Sequence, residues 1–221
     1  MSSEFVTKLT DKHPTFWPYL LHQQTEIAMN TINLETHLQN YQNRRFLAVP
    51  LAGMIVWSLL IFTGMSLSLH MQTWAIYIGT GSIVYLGLGL AKLTGEDVQF
   101  KKGAERNPFD TIFLAAVAMT FLTFSISITF AMQNPYALPF AIAVQSGLMW
   151  LVHGAICKIK VCVAHAIVRT VLCTAAFIIS PENSFVLQPI IVVLCYLFTI
   201  LVLEKRWANL QMQKALNPQA V

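Results

Sequence analysis

The chain has 221 residues, of which 11% are charged and 56% hydrophobic; its mean hydropathy is +0.59 and its net charge +4. A typical soluble domain is about 25% charged. So few charges cannot clothe a water-soluble surface, which excludes a cytosolic enzyme, a nucleic-acid binder and a disordered tail.

Residues 1–45 read as a cytoplasmic N-terminal segment, and they hold no apolar core long enough for a cleavable leader. Phe16-Trp17-Pro18-Tyr19 is an aromatic cluster suited to a membrane interface. Residues 19–42 lack Gly and Pro, and Ile27, Thr31, Leu34, Leu38 and Tyr41 recur at spacings of three and four. That predicts an amphipathic helix with a narrow apolar stripe. It reads either as a helix lying on the membrane or on its own bundle, or as a docking element for a partner. No Lys occurs between residues 13 and 91, so the helix has no lysine-rich face for lipid.

A bilayer core needs about 20 mainly apolar residues per helix. Six stretches qualify: Phe46–Leu67, Trp74–Leu93, Thr111–Met132, Tyr136–Cys157, Val161–Ser180 and Phe185–Leu203. The first, preceded by Arg44-Arg45, serves as an uncleaved anchor. Thr94-Gly95 closes the second. Asn107-Pro108-Phe109-Asp110 opens the third, with Asn as N-cap, Pro at the first helical position and Asp in the first turn. Asn134-Pro135 opens the fourth, and Pro181-Glu182-Asn183 parts the fifth from the sixth. Between the fourth and fifth no Gly or Pro marks the turn, so the fourth helix ends either at Cys157, with its apolar stretch, or at Gly154, the nearest breaker. The predicted fold is therefore all-α, a six-transmembrane-helix bundle (46–204) with the amphipathic helix before it and a short cytoplasmic tail (205–221) after it. There is no internal repeat.

Basic residues set the orientation. Of 14 Lys and Arg, 13 fall in the N-terminal segment, the loop after span two with the end of that span, the loop after span four, and the tail. The other three loops have none. Both termini are thereby expected in the cytoplasm, in a cell inner membrane, and the +4 reflects topology and not a nucleic-acid partner.

Arg169 is the exception. It lies about 12 Å below the cytoplasmic boundary at 1.5 Å per residue, where an Arg costs about 2.5–3.5 kcal/mol, and it cannot lose its proton. No Asp or Glu sits inside any of the six stretches. Its partner must be a carbonyl, a hydroxyl, water, a lipid headgroup or an anionic solute. His165 and Cys173, four residues to either side, share its helix face. His153 and Gln145 on span four and Thr120, Thr123 and Ser127 on span three can complete a polar cleft; the plainer reading is interhelical hydrogen bonding. His153-x3-Cys157-x4-Cys162-x2-His165 offers four zinc-type ligands at no recognised spacing, so no metal or cofactor is assigned. Gly79, Gly81, Gly87 and Gly89 make span two a close-packing helix or a hinge, and Pro139 and Pro189 read as local bends. No nucleophile elbow, phosphate loop or metalloprotease motif supports an enzyme.

Gly79-Thr80-Gly81 through Leu86-Gly87, Asn107-Pro108 and His165-Ala166-Ile167-Val168-Arg169-Thr170 resemble a family of small bacterial polytopic inner-membrane proteins catalogued as a domain of unknown function. The resemblance covers about residues 43–207, so the N-terminal helix lies outside it, and Cys157 and Cys162 are not in its pattern. It implies a helical bundle in a bacterial membrane and supplies no activity. Two readings follow: binding or permeation of a small anionic or amphiphilic solute around Arg169, or a membrane scaffold or sensor engaging a partner through the N-terminal helix. A homodimer fits either.

Overall fold

The computed structural model describes residues 22–23, 31, 33–96 and 107–216. Six long helices follow in order: α1 (Ala48–Ser66), α2 (Leu69–Thr94), α3 (Pro108–Gln133), α4 (Ala137–Cys157), α5 (Lys160–Ile179) and α6 (Ser184–Leu216). One turn of 3-10 helix, Pro181–Asn183, precedes α6. Each of the six long helices is long and apolar enough to cross a bilayer, and a helix satisfies its backbone groups internally, as hydrocarbon demands. This is a multi-pass integral membrane protein. Residues 33–40 are helical, and from Tyr41 onward the described chain forms one compact unit. The rest of the expected N-terminal helix, the aromatic cluster at 16–19 and the basic residues Lys101, Lys102 and Arg106 lie outside the described residues.

The helix ends follow from local chemistry. At the start of α3, Asn107 Oδ1 accepts the Phe109 N–H at 3.0 Å, with Pro108 at the first helical position. Gly95 ends α2 in the left-handed region, φ 70°. Of the two ends open to α4, Gly154 and Cys157, the structure takes the further one. The helix continues to Cys157, and Lys158 takes the left-handed position at φ 54°. The N–H of Lys158 and that of Ile159 (3.0 Å) both reach the Gly154 carbonyl, so the turn is closed without a glycine at its bend. Gly154 serves packing instead: a Cβ there would stand 2.8 Å from Val163 Cγ2. The sixth helix also runs further than its apolar stretch, past Leu203 to Leu216.

Helix α1 packs on α2 and α6, α4 packs on α3, α5 and α6, and α5 packs on α6. Helices α2 and α3 are thus held from one side each and share no extended contact. The close approaches are made by glycines of α1 more than by those of α2. A Cβ on Gly53 would meet the Tyr196 ring at 2.6 Å, and one on Gly64 would stand 2.3 Å from the Phe185 carbonyl oxygen. That carbonyl is free because Pro189, four residues on, has no N–H to donate. On α2, Gly79 faces Val56 (3.2 Å) and Gly87 faces Ala52 (3.8 Å), whereas Gly81 and Gly89 face open space. Gly64→Ala is therefore expected to destabilise the fold by about 1–3 kcal/mol, the range for overpacking. Gly81→Ala should leave stability unchanged or raise it by up to about 1 kcal/mol through helix propensity. Thermal unfolding of both variants in one detergent reads the contrast, and equal melting temperatures would refute the α1–α6 contact.

Candidate functional site

Four helices converge on Arg169, which is fully buried on α5. Its Nη2 donates to Ser146 Oγ of α4 at 2.6 Å, and that hydroxyl donates onward to the Ile142 carbonyl at 2.7 Å. The guanidinium carbon lies 5.5 Å from the ring centre of Trp57 on α1 and 5.4 Å from that of Tyr196 on α6, both within cation–π range. Gly147 gives the stem room, since a Cβ there would come within 3.1 Å of Arg169 Cδ. One turn away, the Thr199 hydroxyl donates to the Cys195 carbonyl at 2.7 Å, so it accepts from His165 Nδ1, also at 2.7 Å. That fixes the tautomer and leaves the Nε2 lone pair facing Arg169 Nη1 at 3.4 Å. Neutral groups surround the cation. Among the described residues its Nε has no hydrogen-bond partner.

The other residues singled out by the sequence form two separate groups. Gln145 Oε1 accepts from Ser127 Oγ at 2.7 Å, its Nε2 donates to the Thr123 carbonyl at 3.1 Å, and Thr120 Oγ1 lies 3.5 Å from the Gln145 carbonyl. Gln145 therefore ties α4 to α3, while its neighbour Ser146 turns to Arg169. His153 is buried toward the far end of α4, with Nδ1 3.2 Å from Tyr41 Oη and Phe46, Phe113 and Trp150 around its ring. Cys157 Sγ lies 3.8 Å from its Nε2. His165 is turned to Thr199 and Arg169, and among the described residues no three His, Cys, Asp or Glu side chains converge as a metal site.

Charged residues gather at the end of the bundle where the chain enters α1. Arg44 Nη1 contacts both carboxylate oxygens of Asp110 on α3, at 2.8 and 2.9 Å. Its neighbour Arg45 turns the other way. Arg45 Nε and Nη2 pair with Glu204 of α6 at 2.9 and 2.5 Å, and its Nη1 donates to the Thr94 carbonyl at 3.3 Å. The bond to Glu204 holds the Arg45 guanidinium above its ordinary range. Glu96 Oε1 accepts the N–H groups of Leu47 (2.8 Å) and Ala48 (2.7 Å), capping α1 from the end of α2. Burial nevertheless pushes its carboxyl up, against those bonds. Arg206 donates to the Gln42 carbonyl, and Gln42 Nε2 to that of Ile156 at 2.7 Å. Burial also raises the Tyr41 phenol.

Because α2 and α3 do not close on each other, a cavity of about 230 Å³ lies between them. Val84 and Leu88 form one wall, and Leu114, Val117 and Phe121 the other. Leu114 and Phe121 are exposed in it. Ser146 and Trp150 line it from α4, and Arg44, Arg45, Glu96 and Asp110 line its charged end. Arg169 does not line it; the Ser146 hydroxyl that it holds does.

Residues 35–206 match the family described as Family of unknown function (DUF7010). The chain belongs to this family. In this DUF7010 chain the match begins before Tyr41, so the last turns ahead of α1 belong to the family region, which the sequence reading had started at about residue 43. No curated protein and no solved structure matches the chain. The DUF7010 region takes in every group around Arg169: Trp57, Ser146, His165, Tyr196 and Thr199. Of these, sequence reasoning singled out His165 alone. An aromatic or hydroxyl residue in an apolar span carries no signal of its own when its partner is on another helix. Arg169→Lys is expected to destabilise the protein by about 1–2 kcal/mol, because an ammonium loses the flat faces stacked on Trp57 and Tyr196. Thermal unfolding checks it, and an unchanged midpoint would mean that the aromatic faces contribute nothing.

Proposed function

We propose that this protein binds a membrane amphiphile, its apolar chain lying in the cavity between α2 and α3 and its polar head at the charged end. The carrying observation is that cavity: apolar along its length, polar at one end, and flanked by two helices that do not close on each other. The geometry around Arg169 supports a part in the bundle interior for that residue, since hydroxyl, imidazole and aromatic faces already enclose it. The anionic or amphiphilic solute is therefore assigned to the cavity and not to the cation. Native mass spectrometry from lipid nanodiscs tests this. Wild-type protein is expected to retain an amphiphile mass that Val117→Trp, which fills the cavity, loses at an unchanged melting temperature. Equal retention by both proteins, or none by the wild type, would sink the proposal.

We further infer that the charged end faces the cytoplasm of a cell with the protein in its inner membrane. Arg44, Arg45, Lys92, Lys158, Lys160, Lys205 and Arg206 gather near the ends of helices on that side, and the opposite turns, 67–68, 134–136 and 180–183, carry no Lys or Arg. In a background with the four native cysteines replaced, Ser68→Cys should react with an impermeant maleimide on intact cells. Lys158→Cys should react only after permeabilisation; the reverse pattern would invert the assignment.

A further inference from the structure

The two adjacent arginines at the cavity end are used differently. All three nitrogens of Arg45 are spent, two on Glu204 and one on the Thr94 carbonyl. Arg44 spends only Nη1, which bridges both oxygens of Asp110. Its Nη2 and Nε have no side-chain or carbonyl partner among the described residues, while its guanidinium carbon lies 5.5 Å from the Tyr41 ring centre. Arg44 is mostly buried, its side chain 19% exposed, and both it and Asp110 line the cavity. A guanidinium held by one nitrogen presents its remaining edge as a fixed fork of N–H donors. Such a fork matches the paired oxygens of a phosphate or carboxylate.

We propose that Arg44 reads the oxyanion head of the amphiphile in the α2–α3 cavity, phosphate or carboxylate, through its unused Nη2 and Nε, with Asp110 as the positioning residue that aims it. This rests on the amphiphile reading of that cavity. Asp110 has a second effect. Its carboxylate stands beside the incoming oxyanion and repels it, so the pair sets orientation at some cost in affinity. Arg45 and Glu204 are the matched comparison, a pair with nothing left to offer a ligand.

The test uses full-length protein in zwitterionic-lipid nanodiscs and three probes: dodecyl phosphate, dodecanol and inorganic phosphate, with binding read by native mass spectrometry. The wild type should prefer dodecyl phosphate over dodecanol by about 10-fold or more, the scale of one charge-assisted hydrogen bond. Inorganic phosphate at equal concentration should not displace it. Arg44→Gln should erase the preference while leaving dodecanol binding within about 2-fold. Asp110→Asn should strengthen dodecyl phosphate binding, because the repelling charge is gone and the amide still accepts from Nη1. The opposite signs are decisive, since a pair that only holds α3 in place predicts the same loss from either variant. A preference that survives Arg44→Gln, parallel losses in the two variants, or inorganic phosphate competing as well as the amphiphile would each overturn the assignment to Arg44. If dodecanol also fails to bind the wild type, the cavity reading itself falls, and this inference with it.

Discussion

A permanent charge sealed inside an apolar bundle is the constraint around which the rest of this structure is arranged. Arg169 is fully buried, and no carboxylate occurs in the apolar stretches to pair with it. Placing an arginine in mid-membrane costs about 2.5–3.5 kcal/mol. A hydrogen bond to a charged group returns about 1.5–3 kcal/mol, and a desolvated cation–π contact about 2 kcal/mol. Those compensating groups come from α1, α4 and α6, so the charge is tolerated only once three other helices surround α5. The cost of one residue becomes a requirement on the whole core.

The same requirement explains why the bundle is uneven. Helices α1, α4, α5 and α6 are drawn together by Arg169, by the Thr199–His165 bond and by Gln188 of α6, whose Nε2 reaches the Cys173 carbonyl at 3.0 Å. Helices α2 and α3 contribute nothing to that centre. The first is fixed by glycine contacts to α1 and by Glu96 at its end; the second is fixed by Gln145 and by the Arg44–Asp110 pair. Each is anchored on its own side, and a cavity of about 230 Å³ remains between them. Rigid core and open cleft are thus two results of where the polar side chains were spent.

Much of this architecture could be read from the chain. The six helices coincide with six apolar stretches because hydrocarbon leaves the backbone no other solution, and the cap at Asn107 is a local signal that the structure uses as written. The misses were of two kinds. Some were local but ambiguous: Gly154 resembles a helix breaker, yet it sits within α4 to admit α5, and Lys158 makes the turn in a conformation that its sequence does not advertise. The end of α6 at Leu216 was hidden because hydropathy marks where the membrane stops, not where hydrogen bonding stops. Other misses were non-local. Arg169 stood out by charge alone, but Ser146, Trp57 and Tyr196 are ordinary residues until the fold brings them to it. The cavity left no trace, since a pair of helices that fail to touch has no sequence pattern.

The Arg45–Glu204 pair has a consequence for how the molecule is made. Its two members are 159 residues apart in the chain. At a synthesis rate of about 5–20 residues per second, Arg45 waits roughly 8–30 s for its carboxylate to leave the ribosome. Arg44 meets its own partner, Asp110, only 66 residues on, so for the greater part of that interval Arg44 has its carboxylate to hand and Arg45 does not. The start of α1 is fastened to α6, the last helix to be made, so a chain cut short before Glu204 never forms that pair.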